Sequence, residues 1–439
     1  MQADIVIKNG VVLTMDSSHA LYEKADIAVS GDKIIDISPT TQYKAKKVID
    51  AQNKLVMPGL INTHTHAAMT LLRGVADDMP LDIWWQKYIF PLEKKFVDKE
   101  FVRIGVELAA AEMIKSGTTS FADMYFFEDV AADACKKIGI RAFLGEGVLD
   151  FPTPDSKTPE ESLRYIKELH KKWKEDALIN IVVAPHAPYS CGRENLLKSK
   201  ALADELNVPL HIHVSETEEE VAQSKKKHGM SPVEFLDNIG FLSEKIIAVH
   251  CVHLSDKDIE ILKKRKVKVA HCQESNMKLA SGFAPIVELQ DQGITVGLAT
   301  DGAASNNNLD MFDEMDSVAK FHKAVRRDPT VMNAKNVVRM ATAEGAKVLQ
   351  RPDIGSLEIG KKADIIIIDM RLPHLTPVYN IYSHLVYSAG GSDVVTSIIN
   401  GKLVMENRTL LTANENGIIN RANRFSEKIR SEALKDQAE

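Results

Sequence analysis

The stretch PGLINTHTHAAM, residues 58–69, sets two histidines two residues apart after an apolar lead-in. Side chains on a strand alternate with period two, so His64 and His66 project from one face. Two neutral imidazoles that converge suit zinc and related divalent ions. A pair of hydrogen-bonded structural histidines produces the same motif, and an isolated HxH is more often structural than catalytic. Further ligands at comparable positions have to decide between the two.

Other apolar runs do end in such residues. His186 closes VVAPH, His213 and Glu216 close HIHVSE, His250 closes IIAVH, His271 closes VKVAH, and Asp301 closes VGLATD. Five runs thus deliver a histidine and a sixth an aspartate, more than random scatter of 14 histidines would place there. His211 shares a face with His213 but lies earlier in its run, where a hydrogen bond in a barrel interior is the better expectation. His253 and His19 read as surface or capping residues, and His271, a candidate barrel-floor residue, carries less weight than His250. Asp301 also suits the N-cap of the turn DGAAS, a role compatible with ligation.

The elements that must position these groups follow from the same runs. LINTHTH, TTSFADMY, RAFLGEGVL, INIVVAPHAPYS, PLHIHVSE, IIAVHCVHL, VKVAHCQES and TVGLATDGAAS are eight candidate strands separated by helical periodicity, as in EFVRIGVELAAAEMIKSG, which Gly117 ends. Eight βα units over roughly 290 residues meet the needs of a (β/α)8 TIM barrel, usually about 250 residues or more. A doubly wound open sheet is disfavoured, because no Gly-rich phosphate fingerprint follows the first strand. In a barrel, the residues at the C-terminal strand ends form the active site.

Both chain ends have a different texture, short strands joined by turns. DIVIKNGVVLTM contains Asn9-Gly10, a strong hairpin signal, and VVTSIINGKLVMENRTLL contains Asn400-Gly401. Neither end carries enough apolar residues for a core of its own. The expectation is therefore a small β-sandwich domain from residues 1–57 and 360–415, a catalytic barrel over 58–359, and a C-terminal helix over 416–439 that reads as solvated.

The 439 residues are 44% hydrophobic with a formal net charge of −6 and mixed charges. No basic patch suggests nucleic acid, and no run approaches the apolar length of a membrane span. MQADIVIKNG lacks the layout of a signal peptide. Four scattered cysteines without a CxxC fit a cytoplasmic protein, with Cys251 and Cys272 as small core residues. A homo-oligomer is compatible with the sequence.

PGLINTHTHAAM, HVSE, the VH of the sixth strand and TDGAASNNNLDMFDEM together resemble the amidohydrolase superfamily, most closely its 5-methylthioadenosine/S-adenosylhomocysteine deaminases. The likeness covers nearly the whole chain. It implies one divalent metal per chain, in this branch usually Zn2+, on His64, His66, His213 and Asp301. Members with two metals carry a bridging lysine where this chain reads APHAP, which favours one ion. The resemblance implies hydrolytic deamination of 5′-modified adenosines, such as 5′-methylthioadenosine, S-adenosylhomocysteine, 5′-deoxyadenosine or adenosine, to the inosine analogue and ammonia.

The chemistry then assigns roles. The metal activates water. Glu216, three residues past His213, takes the water's proton and delivers it to N1 of the base. His250 stabilises charge on the attacking oxygen, and Asp301 helps move a proton to the leaving amine. By resemblance, Glu93 binds the ribose hydroxyls, Trp84 packs on the nucleoside, His186 contacts the ribose or N3, and Ser305 lies near the base. A solvated Glu93 beside Lys94 and Lys95 is the plainer alternative. One departure stands out: family arginines that reach the homocysteine carboxylate are missing from RAFLGEGVLDFPTPDSKTP beyond Arg141. The rivals are guanine or cytosine deaminases, chlorotriazine hydrolases, and a non-catalytic scaffold, which would lack the metal set.

Overall fold

The computed structural model describes residues 1–436. Its centre is a sheet of eight parallel strands whose order follows the chain: Leu60–Thr65, Thr118–Tyr125, Arg141–Val148, Ile179–Pro185, Leu210–Val214, Ile246–His250, Lys268–His271 and Val296–Leu298. They are called barrel strands 1 to 8 below. Strands 1 and 8 lack a regular ladder, and two side-chain bonds and one backbone bond close the gap. Thr63 Oγ1 donates to Leu298 O at 2.8 Å, Asn62 Nδ2 donates to Thr300 Oγ1 at 2.7 Å, and Asp301 N donates to His64 O at 3.1 Å. Ile61, Ala122, Phe143, Val182, Val249 and Ala270 fill the interior, so the barrel is a packed core and not a pore.

Helices return the chain from each strand, and local chemistry stops and starts them. Asp98 caps Lys99–Lys115 by accepting from Glu100 N and Phe101 N, and Ser255 caps Asp256–Arg265 in a capping box. Gly117, at φ +90°, ends the first of these as the sequence reading expects. The long connection after strand 1 is itself helical. It holds Leu81–Ile83, a widened turn at Trp84–Ile89, and Phe90–Phe96.

The two chain ends meet in one mixed nine-stranded sheet. Lys54–Pro58 from the N-terminal side pairs antiparallel with Ile365–Asp369 from the C-terminal side, with Val56 opposite Ile367. The sheet curls until Lys33–Ser38 meets residues 360–363, and encloses a core that includes Ile7, Ile27, Val56, Ile365 and Ile398.

Two expectations are corrected here. Asn9-Gly10 makes no hairpin turn. Gln2–Leu13 is one strand, and the pair forms a bulge in it with Asn9 at φ +62° and its N–H on Asp26 Oδ1. Gly10 is needed for close approach, because a Cβ there would lie 2.6 Å from Val56. Asn400-Gly401 does form the tight turn, at φ +51° and +74°, between Val394–Ile399 and Lys402–Glu406. The C-terminal helix, Glu415–Asp436, is not simply solvated either. Its Ile418, Phe425 and Ile429 are buried, and Phe425 packs edge-on against Phe101. The expected residues 437–439 of that helix lie outside the described residues. Among the described residues no helix is long and apolar enough to cross a membrane.

Candidate active site

The C-terminal ends of the barrel strands open into a cavity of about 1770 Å³. At its floor, His64, His66, His213 and Asp301 converge. His64 Nε2 and His66 Nε2 each lie 3.4 Å from Asp301 Oδ1, and His64 Nε2 lies 3.2 Å from His213 Nε2. The chain has to bend sharply to present such groups. Ser215, His250 and Asp301 sit just at strand ends with φ of +54°, +67° and +62°. Left-handed backbone is costly for residues other than glycine and persists where the surrounding structure forces it, as at functional sites.

Hydrogen bonds from outside the cluster fix which ring nitrogen is free. His66 Nδ1 lies 2.6 Å from Met124 O and His213 Nδ1 lies 2.8 Å from His186 O. A carbonyl only accepts, so both rings carry a proton on Nδ1 and direct Nε2, the nitrogen a metal would take, inward. His64 Nδ1 faces His211 Nε2 at 3.2 Å, which gives His211 the interior partner expected for it. Asp301 Oδ2 accepts from Ser275 Oγ at 2.6 Å and from Ser305 Oγ at 2.9 Å. Ring nitrogens of His64, His66 and His213 and the Asp301 carboxylate, which also accepts from Gly302 N at 2.8 Å, therefore converge on one point. A divalent cation is the group that such a donor set fits.

The electrostatics agree. Burial holds His64 down to about 4 and His186 down to about 3, so both are neutral. Burial also pushes His213 well below its usual value. Burial alone would raise Asp301, but its hydrogen bond to His64 and the facing histidines hold it well below the usual carboxylate range.

Above the floor stand the groups that could move protons. Glu216 Oε2 is 3.7 Å from His250 Nε2, and burial raises its carboxyl while His250 opposes that. Burial disfavours a charged His250, yet Glu216 and Asp301 raise it overall. His250 Nδ1 is held by Asn276 Oδ1 at 3.0 Å. His64, His213 and His250 also form a second close group of nitrogens. The strand 5 turn is braced by Glu220, which accepts from Ser215 N and Glu216 N.

Trp84, Glu93 and His186 also line the cavity, as does Ser305 beside Asp301 at the floor. Glu93 is buried, not solvated beside Lys94 and Lys95 as the plainer reading had it, and burial lifts it to about 7. Tyr125 donates to Glu93 Oε1 at 2.7 Å. His186 Nδ1 is engaged by Ser190 Oγ. His271 is apart from this group, bonded to Gln273 and facing His322 on the helix Met311–Arg326. His253, which reads as a surface residue, lines the cavity rim and meets Ser281 O.

Three participants escaped the sequence reading. Tyr125 ends TTSFADMY and was open to discovery by the strand-end rule used for the histidines. Ser275 and Asn276 lie in the short helix Gln273–Lys278 after strand 7, and no local pattern marks them. Arg141 begins strand 3, at the far end of the barrel, and its guanidinium is taken by Asp364.

The amidohydrolase family pattern matches residues 55–404. The chain is 48% identical over 438 residues to 5-methylthioadenosine/S-adenosylhomocysteine deaminase 1 of Syntrophus aciditrophicus, covering 99% of each chain. It is 46% identical over 429 residues to 5′-deoxyadenosine deaminase of Methanosarcina mazei, covering 97% of this chain and 98% of the other. A crystal structure of an adenosine deaminase from Xanthomonas campestris with bound zinc superimposes with a TM-score of 0.96 at 39% identity, covering 98% and 99% of the two chains. The chain belongs to the amidohydrolase family, in its branch of 5-methylthioadenosine/S-adenosylhomocysteine deaminases.

Proposed function

We propose that this protein is a metal-dependent hydrolytic deaminase that converts 5′-modified adenosines to the inosine analogue and ammonia, using one zinc ion per chain on His64, His66, His213 and Asp301. The observation that carries the reading is the convergence of histidine ring nitrogens and one carboxylate below a half-buried glutamate, at the floor of a cleft with ample room for a nucleoside. The names of its near-full-length relatives supply the substrate class.

A divalent cation bound there supplies the Lewis acidity that makes water nucleophilic near neutral pH. Glu216 takes a proton from the attacking water and gives it to N1 of the purine. A carboxyl raised by burial is matched to both tasks. His250, oriented by Asn276, directs Nε2 at the attacking oxygen and stabilises charge there. Asp301, steadied by Ser275 and Ser305, helps pass a proton to the departing amine. Glu93 accepts from the ribose hydroxyls, Trp84 packs on the nucleoside, and His186 meets the ribose or N3.

The 5′ end of the cleft favours neutral substituents. Among the described lining residues its lysines are Lys94 and Lys278, and Lys278 is engaged by Asp77 and Asn307. With Arg141 bound to Asp364 at the other end of the barrel, strand 3 offers no guanidinium to a homocysteine carboxylate. Steady-state rates on 5′-deoxyadenosine, 5′-methylthioadenosine, S-adenosylhomocysteine, adenosine and guanine test the reading. The first two are expected to exceed S-adenosylhomocysteine by about tenfold or more in kcat/KM, one charge-assisted contact being worth on the order of 1.5–3 kcal/mol. A preference for guanine would overturn the assignment.

A further inference from the structure

The end of barrel strand 2 touches both halves of the site through three consecutive residues. Asp123 Oδ1 accepts from Thr65 Oγ1 at 2.9 Å and from Ala67 N at 2.8 Å, which pins the chain on either side of His66. Met124 O takes the His66 ring at 2.6 Å. Tyr125, buried at 4% exposure, turns its hydroxyl to Glu93 Oε1 at 2.7 Å. Its ring centroid lies 6.4 Å from that of His66. One short piece of rigid strand thus fixes a ligand of the metal cluster and a carboxylate of the cavity wall relative to each other.

Glu93 has reason to need such a tether. It belongs to the helix Phe90–Phe96 in the long connection after strand 1, and not to a barrel strand. Tyr125 is the side chain whose hydrogen bond ties the Glu93 carboxylate to the barrel, and it occupies one of the two oxygens. A carboxylate held at one oxygen presents the other in a fixed direction. Preorganised acceptors lose less on binding than free ones.

We propose that Tyr125 is a positioning residue for sugar recognition: its hydroxyl locks the Glu93 carboxylate in the orientation that accepts the ribose hydroxyls and sets the distance from the sugar to the reacting carbon. The inference rests on Glu93 reading the ribose, and goes beyond it by assigning the group that makes the reading directional. The effect of Tyr125 runs through Glu93.

The test is a double-mutant cycle of Tyr125→Phe and Glu93→Ala on a matched substrate pair, 5′-deoxyadenosine and its 2′,3′-dideoxy counterpart, with zinc measured in every variant. Tyr125→Phe is expected to keep its zinc. It should lose about tenfold more in kcat/KM on the riboside than on the dideoxy analogue, mainly through KM, as fits removal of one hydrogen bond to a charged group. Glu93→Ala should lose roughly 10²-fold more on the riboside than on the analogue, since two charge-assisted bonds go. In the Glu93→Ala background, Tyr125→Phe should add no further selective loss.

Four results would overturn the proposal. An equal loss for Tyr125→Phe on both substrates would show a general structural role. A riboside-selective loss that persists without Glu93 would show that the phenol meets the sugar itself. No loss for Tyr125→Phe beside a selective loss for Glu93→Ala would dismiss Tyr125 and leave the Glu93 reading intact. An equal loss for Glu93→Ala on both substrates would remove that reading and the proposal with it.

Discussion

At the N-terminal mouth of the barrel, Arg141 is buried and every arm of its guanidinium is answered. Nε and Nη2 donate to the two oxygens of Asp364 at 2.9 and 3.1 Å, Nη1 donates to Ala177 O, and Nη2 also reaches Asn400 Oδ1. Asn400 N in turn donates to Asp364 Oδ1. At the C-terminal mouth, groups that are buried or half-buried are only partly answered by protein: Gly302 N, Ser275 and Ser305 donate to Asp301, but the Nε2 atoms of His66 and His213 face the cluster. His66, His213 and Asp301 turn nitrogen and oxygen atoms toward one another, and three strand-end residues hold left-handed backbone to do so. The first cluster is complete and ties the barrel to the curled sheet. The second is complete only with a cation. Barrels divide labour in this way, stability at one end and chemistry at the other.

That contrast can be broken by substitution. The largest expected effect on turnover comes from Asp301→Ala. It should lose zinc and on the order of 10⁴-fold or more in kcat, since Lewis-acid stabilisation is worth several kcal/mol. Full activity in this variant would detach the cluster from the chemistry.

Next in size is Glu216→Gln, the isosteric loss of a proton carrier. Zinc content should stay at the wild-type level while kcat falls roughly 10²–10⁴-fold, the usual range for general acid–base catalysis. Zinc lost along with activity would make Glu216 a ligand and merge it with the floor of the site.

The smallest effect on turnover should come from the other mouth. Asp364→Ala leaves a buried guanidinium without its partner, which costs about 3–5 kcal/mol of stability. A lowered Tm with wild-type kcat/KM for the folded fraction is expected. A large fall in kcat/KM at unchanged Tm would erase the division between the two ends.

The cluster proposed as the catalytic end was legible in the sequence because its signal is local. Each proposed ligand ends an apolar run; period two places His64 with His66 on one face, and position along the run separates His211, which lies earlier, from His213. His250 and His271 both close their runs and position alone does not separate them; in the structure His250 lines the cavity while His271 turns toward His322. What stayed hidden depends on contacts between distant segments. Arg141 and Asp364 are 223 residues apart, and nothing near either announces the other. Tyr125 and Glu93 meet only because the connection after strand 1 folds over strand 2. Asn9-Gly10 misled because the dipeptide specifies left-handed backbone, which serves a bulge as well as a turn. The neighbouring strand decided between them, as Asp26 captured the Asn9 N–H.

The most direct test of the central claim is a zinc titration of the chelated, metal-free chain, followed by the rate of 5′-deoxyadenosine deamination. Activity should be absent at the start, rise in proportion to added zinc, and break to a plateau at one zinc per chain. A break at two, or deamination at full rate by the metal-free chain, would contradict a single cation on His64, His66, His213 and Asp301.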